Sequence, residues 1–139
     1  MIPAYKYFFP EKTIQWISDT ISELLSSGSY LTMGKYCERF EEEFAKKTNT
    51  KYAVSVSSGI AAIEVALRSK GIIDGEVIIP TNTFGATALA VVNSGATPVY
   101  CDIANDMNLD IIDIKKRVTN KTKAIMPVHI GGIISTGIL

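Results

Sequence analysis

The feature that most limits how this chain can fold is an alternation that sets in after Asn49. Short runs rich in β-formers take turns with helical periods, and glycine, proline or hydroxyl residues mark the boundaries. Residues 52–57 alternate and read as a strand. Ser58-Gly59 follows, then a helix over 60–70 with Ile63, Ala66 and Leu67 on one face and Gly71 at its end. Asp74-Gly75 forms a turn, and 76–79 is a short apolar strand closed by Pro80. Thr81-Asn82-Thr83 can cap a helix over 84–93 that Ser94-Gly95 stops. Residues 97–101 form a third strand. Next comes a helix over 110–118, with Asp110 as its cap and Asp113 three residues on in a near capping box. Residues 124–128 form a fourth strand. Strands and helices in this order require right-handed crossovers, which build an α/β fold: a parallel sheet with flanking helices.

The first fifty residues have a different texture. Ile14, Ile17, Ile21, Leu24 and Leu25 lie at helical spacing over 11–25, ahead of Gly28. A second helix over 35–47 carries the stripe Tyr36, Phe40 and Phe44, with Glu42–Lys46 and Glu43–Lys47 as i,i+4 pairs. The irregular run 29–34 connects the two. The organisation expected is therefore an N-terminal helical arm over 1–50 and the first part of a larger domain over 51–139.

Composition removes several classes of function. Fourteen basic residues cancel fourteen acidic ones, so nothing favours a nucleic-acid partner. The longest apolar stretch, 84–92, is too short to cross a membrane, and residues 1–12 contain no apolar signal core. Cys37 and Cys101 stand far apart, with no Cys or His at metal-ligand spacing. They read as reduced, buried thiols, and the chain is expected to be soluble and cytoplasmic, with no metal.

In open α/β sheets ligands gather at the carboxyl ends of the strands. Four segments fall there: 57–60, 81–85, Asp102 and 129–132. At the first, a strand runs through Ser57-Ser58-Gly59 straight into a helix. Two readings stand: free amides and hydroxyls that suit a phosphate, or serines that simply cap the helix. Neither the dinucleotide fingerprint nor the P-loop is present, so an isolated phosphate fits better than a nucleotide. Phe84 can lie flat against an aromatic ring or belong to the core. His129, the single histidine, can face a site or be a packed residue with one nitrogen satisfied. A Ser–His–acid triad from Ser57 or Ser58, His129 and Asp102 lacks the G-x-S-x-G elbow.

Taken in order, these segments resemble the DegT/DnrJ/EryC1/StrS aminotransferases, sugar-modifying members of the type I fold that uses pyridoxal 5'-phosphate (PLP). The likeness rests on Ile2-Pro3, on 29–44, on 52–63 around Ser57-Ser58-Gly59-Ile60, on 78–84 with Thr81-Asn82-Thr83-Phe84, on 95–99 and on 124–129. It implies that Ser58, Gly59 and Ile60 hold the PLP phosphate, Phe84 stacks on the pyridine ring and His129 borders the site. It also implies a homodimer, a nucleotide-linked keto sugar as substrate, and an amino acid donor, typically glutamate.

Two departures accompany the resemblance. The family usually has threonine where this chain has Ile60, so one hydroxyl contact is absent, at a cost of roughly 1.5–3 kcal/mol. The segment that carries the ring-nitrogen aspartate and the Schiff-base lysine is expected to lie beyond Leu139, leaving no catalytic residue within 1–139. Lys121 and Lys123 precede a strand and sit at the wrong end of the sheet to replace that lysine. The later strands that separate the first strand from the next three are expected there too, so 52–57 would lack its neighbours. Two other readings remain: a non-catalytic remnant that at most binds phosphate or an intact subunit, and a sugar dehydratase of the same fold.

Overall fold

The computed structural model describes residues 6–135. The opening Ile2-Pro3 and residues 136–139 lie outside that range. The chain divides between Ser55 and Val56 into two compact units.

The first unit contains α1 (Glu11–Ser26) and α2 (Lys35–Thr48). Both follow the predicted periods, and α2 closes on Asn49, whose left-handed backbone (φ 53°) suits an asparagine. The predicted i,i+4 ion pairs are replaced by an exposed i,i+3 pair, Lys46 Nζ to Glu43 Oε1 at 3.1 Å. Neither helix buries much: α1 has no buried residue and α2 only Ala45. Phe40 and Phe44 pack on each other, ring centroids 5.8 Å apart, and both remain exposed.

The strand expected at 52–57 does not form. Those residues form no helix and enter no ladder among the described residues. A strand needs a neighbour for its backbone groups. Here the Glu41 carboxylate accepts both the Ser55 N–H and the Ser55 hydroxyl at 2.7 Å.

The second unit is α3 (Gly59–Ser69), β1 (Glu76–Pro80), α4 (Gly85–Ser94), β2 (Thr97–Cys101), α5 (Ile111–Arg117), β3 (Thr122–Ile125) and a 3-10 turn, Ile130–Gly132. The sheet is parallel in the order β2-β1-β3. Because side chains alternate along a strand, central β1 feeds both faces. Val77 and Ile79 pack under α3 and α4 with Leu67, Val91 and Ala96. Ile78 packs on the other face with Cys101, Leu109 and Ile114 of α5. Helices therefore cover both faces, as the alternation requires. Cys101 is buried there and its thiol is pushed up to about 11 by burial, so it stays inert; Cys37 is only partly buried.

Boundaries moved where side-chain chemistry intervened. β3 stops at Ile125, although Met126 N–H still donates to the Ile78 carbonyl at 2.8 Å. α4 presents small residues, Thr87, Ala90 and Ser94, to the interior and so lies close to its neighbours. Gly95 ends it at φ 104°, and a Cβ there would sit 2.3 Å from the Ile73 carbonyl oxygen. Asp110 caps α5 as predicted, accepting from Ile112 N–H at 2.8 Å. Asp113 does not complete the box; its carboxylate accepts the Asp102 N–H at 2.8 Å and pairs with Arg117.

Candidate functional site

The path of the chain fixes which end of α3 meets which end of the sheet. α3 leads through the tight turn 70–75 into the amino end of β1, so its own N-terminus lies at the sheet's carboxyl edge. An eleven-residue helix and a five-residue strand have matching lengths, each about 16–17 Å. α4 starts at the same edge, directly after β1, and runs alongside α3; Arg68 near the end of α3 donates to the Asn93 carbonyl near the end of α4. Two parallel helix N-termini thus stand together at one edge.

At the start of α3, Ser58 is extended (φ −162°, ψ 161°) and its hydroxyl accepts from Ala61 N–H at 3.3 Å. Capping is therefore real, but it uses one serine and one amide. The amides of Gly59 and Ile60 meet no protein acceptor among the described residues, and neither does the Ser57 hydroxyl. No acidic residue occupies the first turn, and the space around Gly59 Cα is open. Free donors, the positive end of a helix and no competing carboxylate form a ready anion site.

Phe84 is the N-cap of α4, not its first residue, and is 83% exposed, so it is no part of the core formed by the described residues. Thr83 does not cap the helix backbone; its hydroxyl bonds to that of Thr87 at 2.7 Å. His129 follows β3 at the same edge and is exposed. Its Nδ1 accepts from Ser135 N–H at 3.1 Å, which leaves the ring proton on Nε2. The described geometry gives no nucleophile–base contact between Ser57 or Ser58 and His129, so the triad finds no support. Lys121 and Lys123 lie at the amino edge, where Lys121 O accepts from Glu76 N–H. Among the described residues no cluster of His, Cys, Asp and Glu could hold a metal, and no helix is long and apolar enough to cross a membrane.

Sequence reasoning passed over Asn108. It lies on the loop after β2, is 1% exposed, and carries a fully bonded side chain. No periodicity marks such a residue; the only hint is Asn105-Asp106 and Asn108 set between two apolar stretches.

A parallel α/β sheet with unengaged helix amides, an exposed aromatic ring and a histidine along its carboxyl edge has the chemistry to suit a small phosphorylated ligand. Residues 12–136 match the DegT/DnrJ/EryC1/StrS aminotransferase family, and the chain belongs to it. The chain is 38% identical over 134 residues to the GDP-perosamine synthase of Vibrio cholerae, covering 95% of this chain and 35% of that protein. It is 45% identical over 114 residues to the spore coat polysaccharide biosynthesis protein SpsC of Bacillus subtilis, covering 81% and 29%. Among solved structures it superposes on DesV of S. venezuelae, in complex with a ketimine intermediate, with a TM-score of 0.84 and 40% identity over 91% of this chain and 34% of that one. NtdA of Bacillus subtilis, solved with bound cofactor PMP, gives a TM-score of 0.85 at 36% identity, covering 92% and 30%. The chain spans about a third of the length of the relatives it matches.

Proposed function

We propose that this chain supplies the phosphate cradle and ring platform of a PLP-dependent aminotransferase that acts on a nucleotide-linked keto sugar. The observation that carries the reading is the pair of unengaged amides, Gly59 and Ile60, at a helix N-terminus beside an exposed Phe84. The family and its relatives support the chemistry: GDP-perosamine synthase, and transaminases of dTDP-linked amino sugars. One relative is a 3-oxo-glucose-6-phosphate:glutamate aminotransferase, which favours glutamate as donor.

Bound PLP supplies an electron sink for the amino group's carbon. The chain's own share of the work is binding and orientation. The Gly59 and Ile60 amides, with the Ser57 hydroxyl, hold the phosphate dianion, and the helix dipole adds to the attraction. Phe84 offers a flat apolar face that fixes the plane of the ring. His129, with its proton on Nε2, presents a donor to a neighbouring oxygen. The reading includes a cytoplasmic homodimer and a division into an arm, 1–50, and a cofactor-binding region, 51–139.

The test is Gly59→Pro in the complete gene product. Proline is favoured at the first helical position and Ser58 is already extended, so the helix is kept while one amide donor disappears. PLP affinity, followed by absorbance and fluorescence, should fall by about tenfold or more, the worth of one hydrogen bond to a charged group. Unchanged affinity would refute the cradle.

A further inference from the structure

The turn that carries His129 contains two consecutive glycines. Gly131 and Gly132 are both left-handed (φ 58° and 84°), and glycine pairs leave the backbone wide freedom. Local bonds close the turn, Gly132 N–H to the His129 carbonyl at 3.1 Å and Ile133 N–H to the Ile130 carbonyl at 3.0 Å, and one buried side chain ties it to the loop after β2. Asn108 Oδ1 accepts the Ile130 N–H at 3.4 Å, an amide shared with the Val128 carbonyl at 3.0 Å. Asn108 Nδ2 donates to the Ile133 carbonyl at 3.4 Å, so the amide grips the turn on both sides of its glycines.

Asn108 is itself held from behind. The Asp106 carboxylate accepts its backbone N–H and its Nδ2, both at 3.1 Å, and the Ala104 N–H donates to its carbonyl at 2.9 Å. Met107 beside it takes a left-handed backbone (φ 67°), and Asn82 Nδ2 donates to the Met107 carbonyl at 3.4 Å. Asn82 is two residues before Phe84. Through Asn108 and its neighbours, the loops after β1, β2 and β3 are laced together at the carboxyl edge.

We infer that Asn108 is a positioning residue that sets the His129 turn against the loop bearing Phe84. Its purpose rests on the cofactor reading above; its grip on the turn does not. A residue that merely fills space would tolerate leucine, which shares its γ-branched outline and number of side-chain heavy atoms and is at home in a buried site. A residue whose amide matters would not.

The experiment compares Asn108→Leu and Asn108→Ser with the parent in the complete gene product. Hydrogen exchange by mass spectrometry reads peptides 126–135 and 76–80 without cofactor, and visible circular dichroism reads added PLP. The expected result is exchange in 126–135 that is about three- to tenfold faster in both variants, the range for part or all of one hydrogen bond. Peptide 76–80 should stay within about twofold, and the dichroic band of bound PLP should change. Unaltered exchange in 126–135, an equal rise throughout, or an unaltered band with PLP bound overturns the inference. If the leucine variant does not fold, the serine variant decides; failure of both to fold makes Asn108 an ordinary core residue and also overturns it. A parent protein that shows no PLP band sinks the cofactor reading alone, and the exchange data still judge the grip of Asn108.

Discussion

The two units of this chain use apolar residues in opposite ways. In the second, β1 buries Val77, Ile78 and Ile79 completely between helices on both faces. In the first, α1 is as cleanly amphipathic as any helix here, yet leaves Ile14, Trp16, Ile21 and Leu25 more than half exposed. A periodic stripe states that a helix has a face to cover; it does not state what covers it. Stability in the second unit comes from contacts within it, whereas α1 buries no residue fully among the described residues.

The sharpest way to break that contrast is to truncate one residue of each kind. Ile78→Ala should destabilise the second unit by about 2–5 kcal/mol, the cost of a cavity in a packed core. Ile21→Ala should change stability by less than about 0.5 kcal/mol, since little is buried and alanine is the better helix former. Urea denaturation of both variants decides it. A comparable loss at Ile21 would mean that α1 is covered in solution.

The cofactor edge tests the comparison more finely, because there the second unit also leaves groups uncovered. Ile60→Thr keeps a β-branched residue in the first turn of α3 and restores the hydroxyl the family usually has. PLP affinity should rise about tenfold, given that a hydrogen bond to a charged group is worth roughly 1.5–3 kcal/mol. Phe84→Ala should leave stability unchanged, the ring being 83% exposed, while PLP affinity drops by about 2- to 12-fold, the worth of an aromatic stacking contact. Titration of each variant with PLP separates the two effects. A stability loss on removing Phe84 would assign the ring to packing.

Legibility from sequence followed the same divide. Elements of the second unit could be read because local pattern and tertiary environment agree there: β1 is apolar on both faces and is central, and Gly71 and Gly95 end their helices where left-handed backbone is needed. Residues 52–57 have the pattern of a strand without a partner in the described chain, and a pattern cannot supply one. The edge was readable at Gly59, Phe84 and His129 because each directly follows, or opens, an element at the carboxyl ends. Asn108 was not, since its role depends on a loop that folds back on another loop twenty-two residues later. Asp113 was misread for the same reason: spacing pointed to a local cap, but the nearest orphan amide belongs to Asp102, across the loop.

The smallest expected effect compares the two units through their acids. The Asp113 carboxyl is held below the usual aspartate range, first by the Asp102 N–H it accepts and then by Arg117. The Glu41 carboxyl is held below its usual range by the Ser55 N–H and hydroxyl. A depressed carboxyl contributes stability that is present above its unfolded-state pKa and disappears as pH falls through the lower folded value. Each unit should therefore loosen below about pH 4, where the unfolded carboxyls begin to take up protons. Asp113→Asn should flatten that loss in the second unit, and Glu41→Gln should do so only at the approach to Ser57. Neither carboxylate is fully buried, so both changes should be modest. Asp113 should matter more, because it joins the end of β2 to α5 and has a cation as well as an amide for a partner. Local hydrogen exchange over 102–117 and 41–55, corrected for the intrinsic effect of pH, reads the two separately. If the asparagine variant loses protection with acid as steeply as the parent, the Asp113 charge contributes nothing to that loss.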